Sequence, residues 1–374
     1  MPKGDKRSSS LCFPATCFEH CRATLPFDII RDLNDHVLVF IEPHPDDTVL
    51  GAGGLVQLIA REIRSHGRPE RIHNVTVVSG YHAVDDTFIE ALSEKDKEHI
   101  FDRYHDCLNS LYSAISDNDI GEEEAFIRGY YEDCLKYLDR LKYEQKDRKR
   151  HDIILKSGLR LFIENKNAFV RLAGKDMVKE HYVLLPFYDS IAGFTPALDH
   201  VMNVVALGTV IEQILKKSGK RKLTIVADAG KDPHGTHGLV RSVLNRTVLS
   251  LIEEEEIEAV TYYWMHGPWP VMNFNNEEQA CVAMFTEDIW RDKYAACAMY
   301  VSQQDPLVPG SESTPFRVRV EERNREYAKL VRKHNKTIQE NERYAELYFR
   351  KDFLDAGGSF EYGRFKDYID KIEG

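Results

Sequence analysis

Two short stretches carry the residues whose types and spacing could do chemistry. The first, IEPHPDDTVLGAGG (41–54), sets His44, Asp46 and Asp47 between an apolar run and an amphipathic one. The second, GKDPHGTHGLVRSVL (230–244), sets His234 and His237 three residues apart. His44 and Asp47 are also three apart, in a turn that Pro45 stiffens, so both side chains can aim at one point. An imidazole and a carboxylate together suit zinc. A zinc site that keeps one position open needs a third protein ligand, and His237 can supply it. Asp46 must point differently from Asp47, so it can stay off the metal yet near a metal-bound water. A capping Asp before a helix is commonplace, and the first stretch alone is weak evidence. Two matching junctions, each with a histidine and a short-spaced partner, point to a metal.

The glycines of the first stretch pose a rival. In a dinucleotide fold, Gly51, Gly53 and Gly54 would bring backbone N–H groups up to a pyrophosphate. Here His44, Asp46 and Asp47 occupy that approach, and a phosphate would meet two carboxylates. The nucleotide reading is discarded. The glycines instead let the start of the helix pack closely on the strand.

Both stretches follow runs that read as buried strands, HVLVFIE (36–42) and LTIVADAG (223–230). HNVTVVSG (73–80), AVTYYW (259–264) and the shorter HYVLLPF (181–187) read the same way. Helical patterns lie between them, such as GGLVQLIAREIRSH and ALDHVMNVVALGTVIEQILKKSG. That alternation predicts an α/β fold with a mainly parallel sheet covered on both faces. Between about 85 and 180 the strand signal stops and charged, helical spacing takes over. An insertion there follows a strand, so it falls on the rim where open α/β sheets bind ligands. It could be a lid or substrate wall, or serve only stability or oligomer contacts. The expected division is an N-terminal arm (1–33), one elaborated domain (34–330) and a helical C-terminal extension (331–374). The polar tail from about 318 mixes charges of both signs, which suits a solvated helix or a dimer contact.

Composition narrows the partners. Among 374 residues, 43% are apolar and 30% charged, as in globular domains, and the net charge of −11 argues against nucleic acid. No apolar run nears the ~20 residues of a membrane span, and the N-terminus lacks the apolar core of a secretory signal. Seven irregularly spaced cysteines make no disulfide framework, so a reducing, cytoplasmic setting is expected. Cys12, Cys17, Cys21 and His20 fit no common structural-zinc spacing.

HVLVFIEPHPDDTVLGAGG resembles the signature of the LmbE-like, or PIG-L, deacetylase family, and the HGTH element resembles its second motif. VVSGYHAVDD, LLPFYDS, YYWMHGPW, SQQDPLVPGS and FRVRVEERNREYA, in the same order, resemble the LmbE-like domain associated with glucosamine-6-phosphate deaminase. The resemblance spans roughly residues 34–330. It implies a Rossmann-like fold and a zinc-dependent hydrolase that removes acetyl from N-acetylglucosamine units. Carried over, His44, Asp47 and His237 are zinc ligands, Asp46 is the general base, and His234 is the charged or proton-donating partner near the oxyanion. The second motif departs from the family at Gly235-Thr236, where Pro-Asp is usual. Thr236 is a weak substitute for an Asp that orients a histidine, and Asp228 or Asp232 could take that task. The sugar-holding arginine has no sure match; Arg160 and Arg171 are the candidates.

Other features weigh less. YYWMHGPW (262–269) could stack on a sugar, though large aromatics at a strand end are more often core packing. Ser302 and Gln303 read as support for a helix near the site. Two alternatives stay open: an amidase on a larger sugar- or nucleoside-linked amide, and a non-catalytic sugar-binding or scaffold protein of the same fold.

Overall fold

The structure, a computed structural model, describes residues 25–115, 121–144, 147–184, 200–230, 235–265, 279–303, 316–335, 338–354 and 359–373. Helix α1 (Leu25–Asp32) leads into strand β1 (His36–Glu42), helix α2 (Asp47–Ser65) and strand β2 (Ile72–Thr76). The expected insertion then follows as α3 (Asp86–Glu90), α4 (Glu94–Ala114), α5 (Glu122–Glu144), α6 (Arg148–Gly158), a π-helical turn (Leu159–Asn165) and α7 (Lys166–Ala173). Beyond it lie β3 (Val178–Tyr182), α8 (His200–Ser218), β4 (Lys222–Asp228), α9 (Thr236–Glu253), β5 (Ala259–Met265) and β6 (Gln279–Phe285). The rest is α10 (Glu287–Cys297), α11 (Phe316–His334), β7 (Tyr344–Asp352) and α12 (Tyr362–Glu373).

The strands form one seven-stranded sheet in the order β3-β2-β1-β4-β5-β7-β6. The first five are parallel, and β7 runs antiparallel to both β5 and β6. The fold is therefore the mixed α/β architecture that the alternating pattern predicts. From β1 the chain moves outward to β2 and β3, then crosses back to β4 on the other side of β1. Ligands in open α/β sheets bind outside the carboxyl ends of the strands at this reversal. The loops after β1 and β4 carry the two motifs.

Side chains alternate across a strand, which explains why β1 reads as a continuous apolar run. Val37, Val39 and Ile41 join a core built with the insertion helices, through Ile100, Tyr104 and Phe162 among others. Leu38 and Phe40 face the other way, onto Leu55, Ile59 and Trp290. The insertion thus packs on the first face, and through Phe169 and Leu172 of α7 on the other, and it also reaches the site.

Three expectations need correction. The second strand ends at Thr76 rather than at residue 80, although the N–H groups of Val77 and Val78 still bond the carbonyls of Glu42 and Pro43. The fifth strand is Val178–Tyr182, three residues earlier than expected; as an edge strand it mixes Lys179, Glu180 and His181 into its pattern. The C-terminal extension is not helical throughout, because Tyr344–Asp352 forms β7 inside the sheet. Its apolar signal is broken by Glu346, a carboxylate buried against Lys293 at 2.6 Å. The arm's cysteines lie outside the described residues.

Candidate metal centre

The turn after β1 closes on itself. The N–H of His44 donates to Asp47 Oδ2 at 2.8 Å, and the N–H of Asp47 donates back to the carbonyl of His44 at 3.2 Å. Asp47 is thereby fixed as the first residue of α2, with one carboxylate oxygen aimed toward His44. The N–H of Thr48, unbonded within the helix at this terminus, donates to Glu42 Oε2 at 3.1 Å. Glu42 also accepts from Asn74, Thr76 and Asn165, so four segments converge beneath the turn. Burial pushes the Glu42 carboxyl up to about 8 in spite of those donors.

His237 enters from the other motif, as the second residue of α9. Adjacency of β1 and β4, with Ile41 in register with Ala227, places the loops after the two strands side by side. One ligand atom each from His44, Asp47 and His237 lie within 4.8 Å of one another. Asp47 Oδ2 is 3.4 Å from His44 Nδ1 and 3.4 Å from His237 Nε2, and the two rings are 5.3 Å apart. Burial alone would raise the Asp47 carboxyl, but His237 and then His44 hold it down to about 2.

This donor set fits a divalent cation. Two imidazoles and an ionised carboxylate are zinc-type ligands, gathered on a buried spot. On its far side, His237 Nδ1 lies 3.2 Å from Asp228 Oδ1. A carboxylate behind a ligating histidine fixes its tautomer and orientation. Asp228 therefore stands where Thr236 was expected to be inadequate; Asp232 lies outside the described residues. Asp228 is itself held by the N–H of Gly230 at 2.7 Å.

Asp46 occupies the N-cap position of α2, yet its side chain caps nothing. Instead Oδ1 accepts from Arg160 Nη2 at 2.7 Å, and Arg160 Nη1 donates to the carbonyl of Gly80 at 3.0 Å. The guanidinium is 3% exposed and the Asp46 carboxylate 13%, so the pair is largely desolvated. Gly80 has φ +64°, and a Cβ there would lie 2.1 Å from Arg160 Nη1. Glycine at this position both adopts the left-handed turn and makes room for the arginine.

Arg160 comes from the π-helical turn, which often marks functional sites. The same turn supplies Glu164, whose oxygens accept from the backbone N–H and the hydroxyl of Ser302 at 2.7 and 2.8 Å. It also supplies Asn165, which joins Glu42 to Tyr300. Ser302 therefore supports a helix beside the site, whereas Gln303 bonds the Ala83 carbonyl and Ser302 itself. Arg171, the other candidate, pairs with Asp292 at 2.8 Å and is half exposed. Of the YYWMHGPW block, Tyr262, Tyr263 and Trp264 are buried, with Tyr262 stacked on Trp264 at 4.8 Å. These three are core, and residues 266–269 lie outside the described residues, as does His234.

Sequence reasoning missed the partnership of Arg160 with Asp46 and the polar floor of Glu42, Asn74 and Thr76. One signal was available. A glutamate ending an otherwise apolar strand, HVLVFIE, is an acid placed where burial is expected.

No family model matches the chain. A glucosamine-6-phosphate deaminase-like protein of Bacteroides thetaiotaomicron is 25% identical over 301 residues, covering 78% of this chain and 40% of that protein. The chain thus spans less than half the length of this curated relative. Among solved structures, the zinc-inhibited form of a teicoplanin deacetylase is similar at 16% identity and a TM-score of 0.44, covering 85% of this chain and 99% of that one. The 4-carboxy-2-hydroxymuconate hydratase of Pseudomonas putida is similar at 12% identity and a TM-score of 0.41, covering 84% and 95%. Likeness at this level reaches a hydrolase and a hydratase alike, so the reaction has to be argued from the site.

Proposed function

We propose that this chain is a metal-dependent N-deacetylase that removes the acetyl group from an N-acetylglucosamine-type amino sugar or its conjugate. The observation that carries the reading is the convergence of His44, Asp47 and His237 within 4.8 Å, with Asp46 beside them and paired to Arg160 instead of capping its helix. The resemblance of the strand-end motifs to the deacetylase family supplies the substrate class.

His44, Asp47 and His237 would hold the cation, and zinc suits them best. When bound there, it supplies Lewis-acid activation of water and of the amide carbonyl. Asp46 takes the proton from the attacking water on the oxygen that Arg160 leaves free. Attack at the carbonyl carbon and loss of the C–N bond give acetate and an amine. The amine needs one proton, which the Asp46 carboxyl can return or His234 can donate. Arg160 fixes the direction of the Asp46 carboxylate, and Asp228 fixes the His237 ring.

Cytoplasmic placement and a small-molecule partner belong to the same proposal; among the described residues, no helix is long and apolar enough to cross a membrane. Homo-oligomer contacts through the C-terminal helices remain part of it. The test measures bound metal and acetate released from N-acetylglucosamine derivatives, for the wild type and Asp46→Ala. Stoichiometric metal with turnover that Asp46→Ala abolishes is expected. Full activity in that variant would overturn the mechanism, and metal without turnover on any acetylated amine would favour a binding protein.

A further inference from the structure

The other end of the sheet, away from the proposed metal centre, carries a second group of titratable side chains. β1 alone separates the two ends by about 20 Å, at ~3.3 Å per strand residue. There, the starts of β1, β2 and β3 and the turn after α8 line an open cleft of about 370 Å³. Its walls present His36, Arg71, His73, Lys179, Lys217 and Lys220, against the single carboxylate of Glu70. Its floor is apolar, with Val37, Leu38 and Ile214.

The lysines bear on the histidines beside them. His73 and His181 stack at 5.2 Å, and His73 Nδ1 lies 3.0 Å from His181 Nε2, so one ring donates and the other accepts. Burial, followed by Lys179 and Lys217, pushes His73 down to about 4. Burial, then His73 and the same lysines, pushes His181 down to about 3. Lys220 is directed to the carbonyls of Leu33 and His36, and Lys222 at the rim reaches Asp35 at 3.8 Å. Neither Lys179 nor Lys217 has an ion pair among the described residues. In a chain of net charge −11, this positive charge is gathered in a concavity of ligand size.

We propose that this cleft is a binding site for a small phosphate-bearing anion, separate from the metal centre and independent of the reaction there. The ammonium groups of Lys179 and Lys217 line the cleft together with Arg71, and charged N–H donors suit an oxyanion with many acceptor oxygens. A bound anion offsets the repulsion among them. The apolar floor leaves room for the organic body of a phosphate ester. The acidic remainder of the chain disfavours a polymeric anion.

The experiment is calorimetric titration with inorganic phosphate, and separately with glucose 6-phosphate, at an ionic strength fixed with chloride. Three proteins are compared: the wild type, Lys179→Gln/Lys217→Gln, and His237→Ala, which disables the proposed metal centre. Both lysines are exposed, so the double variant keeps its fold, checked by circular dichroism. Saturable binding is expected in the wild type and in His237→Ala alike, and at least tenfold weaker binding in the double variant. Tighter binding of the ester than of free phosphate would assign the site to phosphate esters, and equal binding to phosphate itself. No saturable binding, unchanged binding in the double variant, or loss of binding in His237→Ala would overturn the proposal.

Discussion

Arg160 Nη2 and Asp46 Oδ1 lie 2.7 Å apart although 114 residues separate them in the chain. The pair joins the helical insertion to the motif after β1. An Asp at a helix N-cap would ordinarily accept from the first turn. Here the arginine takes that oxygen.

Replacing Arg160 with Met should leave bound metal unchanged, because its hydrogen bonds go to Asp46 and the Gly80 carbonyl and not to the three ligands, while kcat for deacetylation falls by about 100-fold from misorientation of Asp46. Arg160→Lys should recover little, since an ammonium cannot span Asp46 and the Gly80 carbonyl with a planar fork. Metal analysis and steady-state kinetics on the same preparations check this. Loss of metal in Arg160→Met would instead mark the arginine as a support of the whole turn.

Among the described residues, Asp228 meets the proposed centre through His237. Asp228→Asn should weaken metal affinity about 10- to 100-fold, the usual effect of removing a partner behind a ligating histidine. His237→Ala should lose more. Competition with a zinc chelator orders the three proteins, and equal affinities would remove Asp228 from the site.

Lys293, Glu346 and α2 form a buried brace. Lys293 Nζ donates to Glu346 at 2.6 Å, to Asn324 at 3.1 Å and to the carbonyl of Leu50 at 2.8 Å. Glu346 in turn accepts from the N–H groups of Gly54 and Leu55, inside the helix that begins with Asp47. Removing one partner of a buried pair leaves the other charge uncompensated, so Lys293→Ala should cost about 3–5 kcal/mol. Lys293→Met/Glu346→Leu should recover much of the loss. Urea unfolding of the two variants measures the loss and the recovery.

Gly54 shows what the glycine run is for. A Cβ there would lie 2.5 Å from Phe285, a ring packed on the helix from β6. Gly54→Ala should destabilise by about 1–3 kcal/mol through overpacking, read as a lower urea midpoint. The expected close approach is real, but its partners are Phe285 and Glu346 rather than the preceding strand.

Glu164 gives a pH signature. Burial raises its carboxyl to about 7, above the ordinary 4.5, even with two donors from Ser302. The folded state then holds a proton that the unfolded chain releases, so this contribution is complete below about pH 4.5 and is lost as pH rises to about 7. Glu164→Gln should flatten that part of the stability profile while changing stability little at pH 4.5. Thermal unfolding across pH 4–8, about the span of the effect, compares the two proteins.

Much of the centre was legible in the chain because its signals are short-range. A β-rich run, a His-Pro-Asp-Asp turn and an amphipathic run specify strand, turn and helix within about 30 residues, the length of such a unit. The sequence by itself therefore determined the two junctions, the parallel strands that carry them, and His44, Asp47 and His237 as a compatible ligand set. Only the tertiary structure decided that β1 and β4 are neighbours, which makes three scattered donors one cluster. It alone turned Asp46 toward Arg160, put Asp228 behind His237, and drew Tyr344–Asp352 into the sheet by pairing Glu346 with Lys293. Periodicity reports which face a residue presents, whereas an ion pair between distant segments depends on how those faces pack.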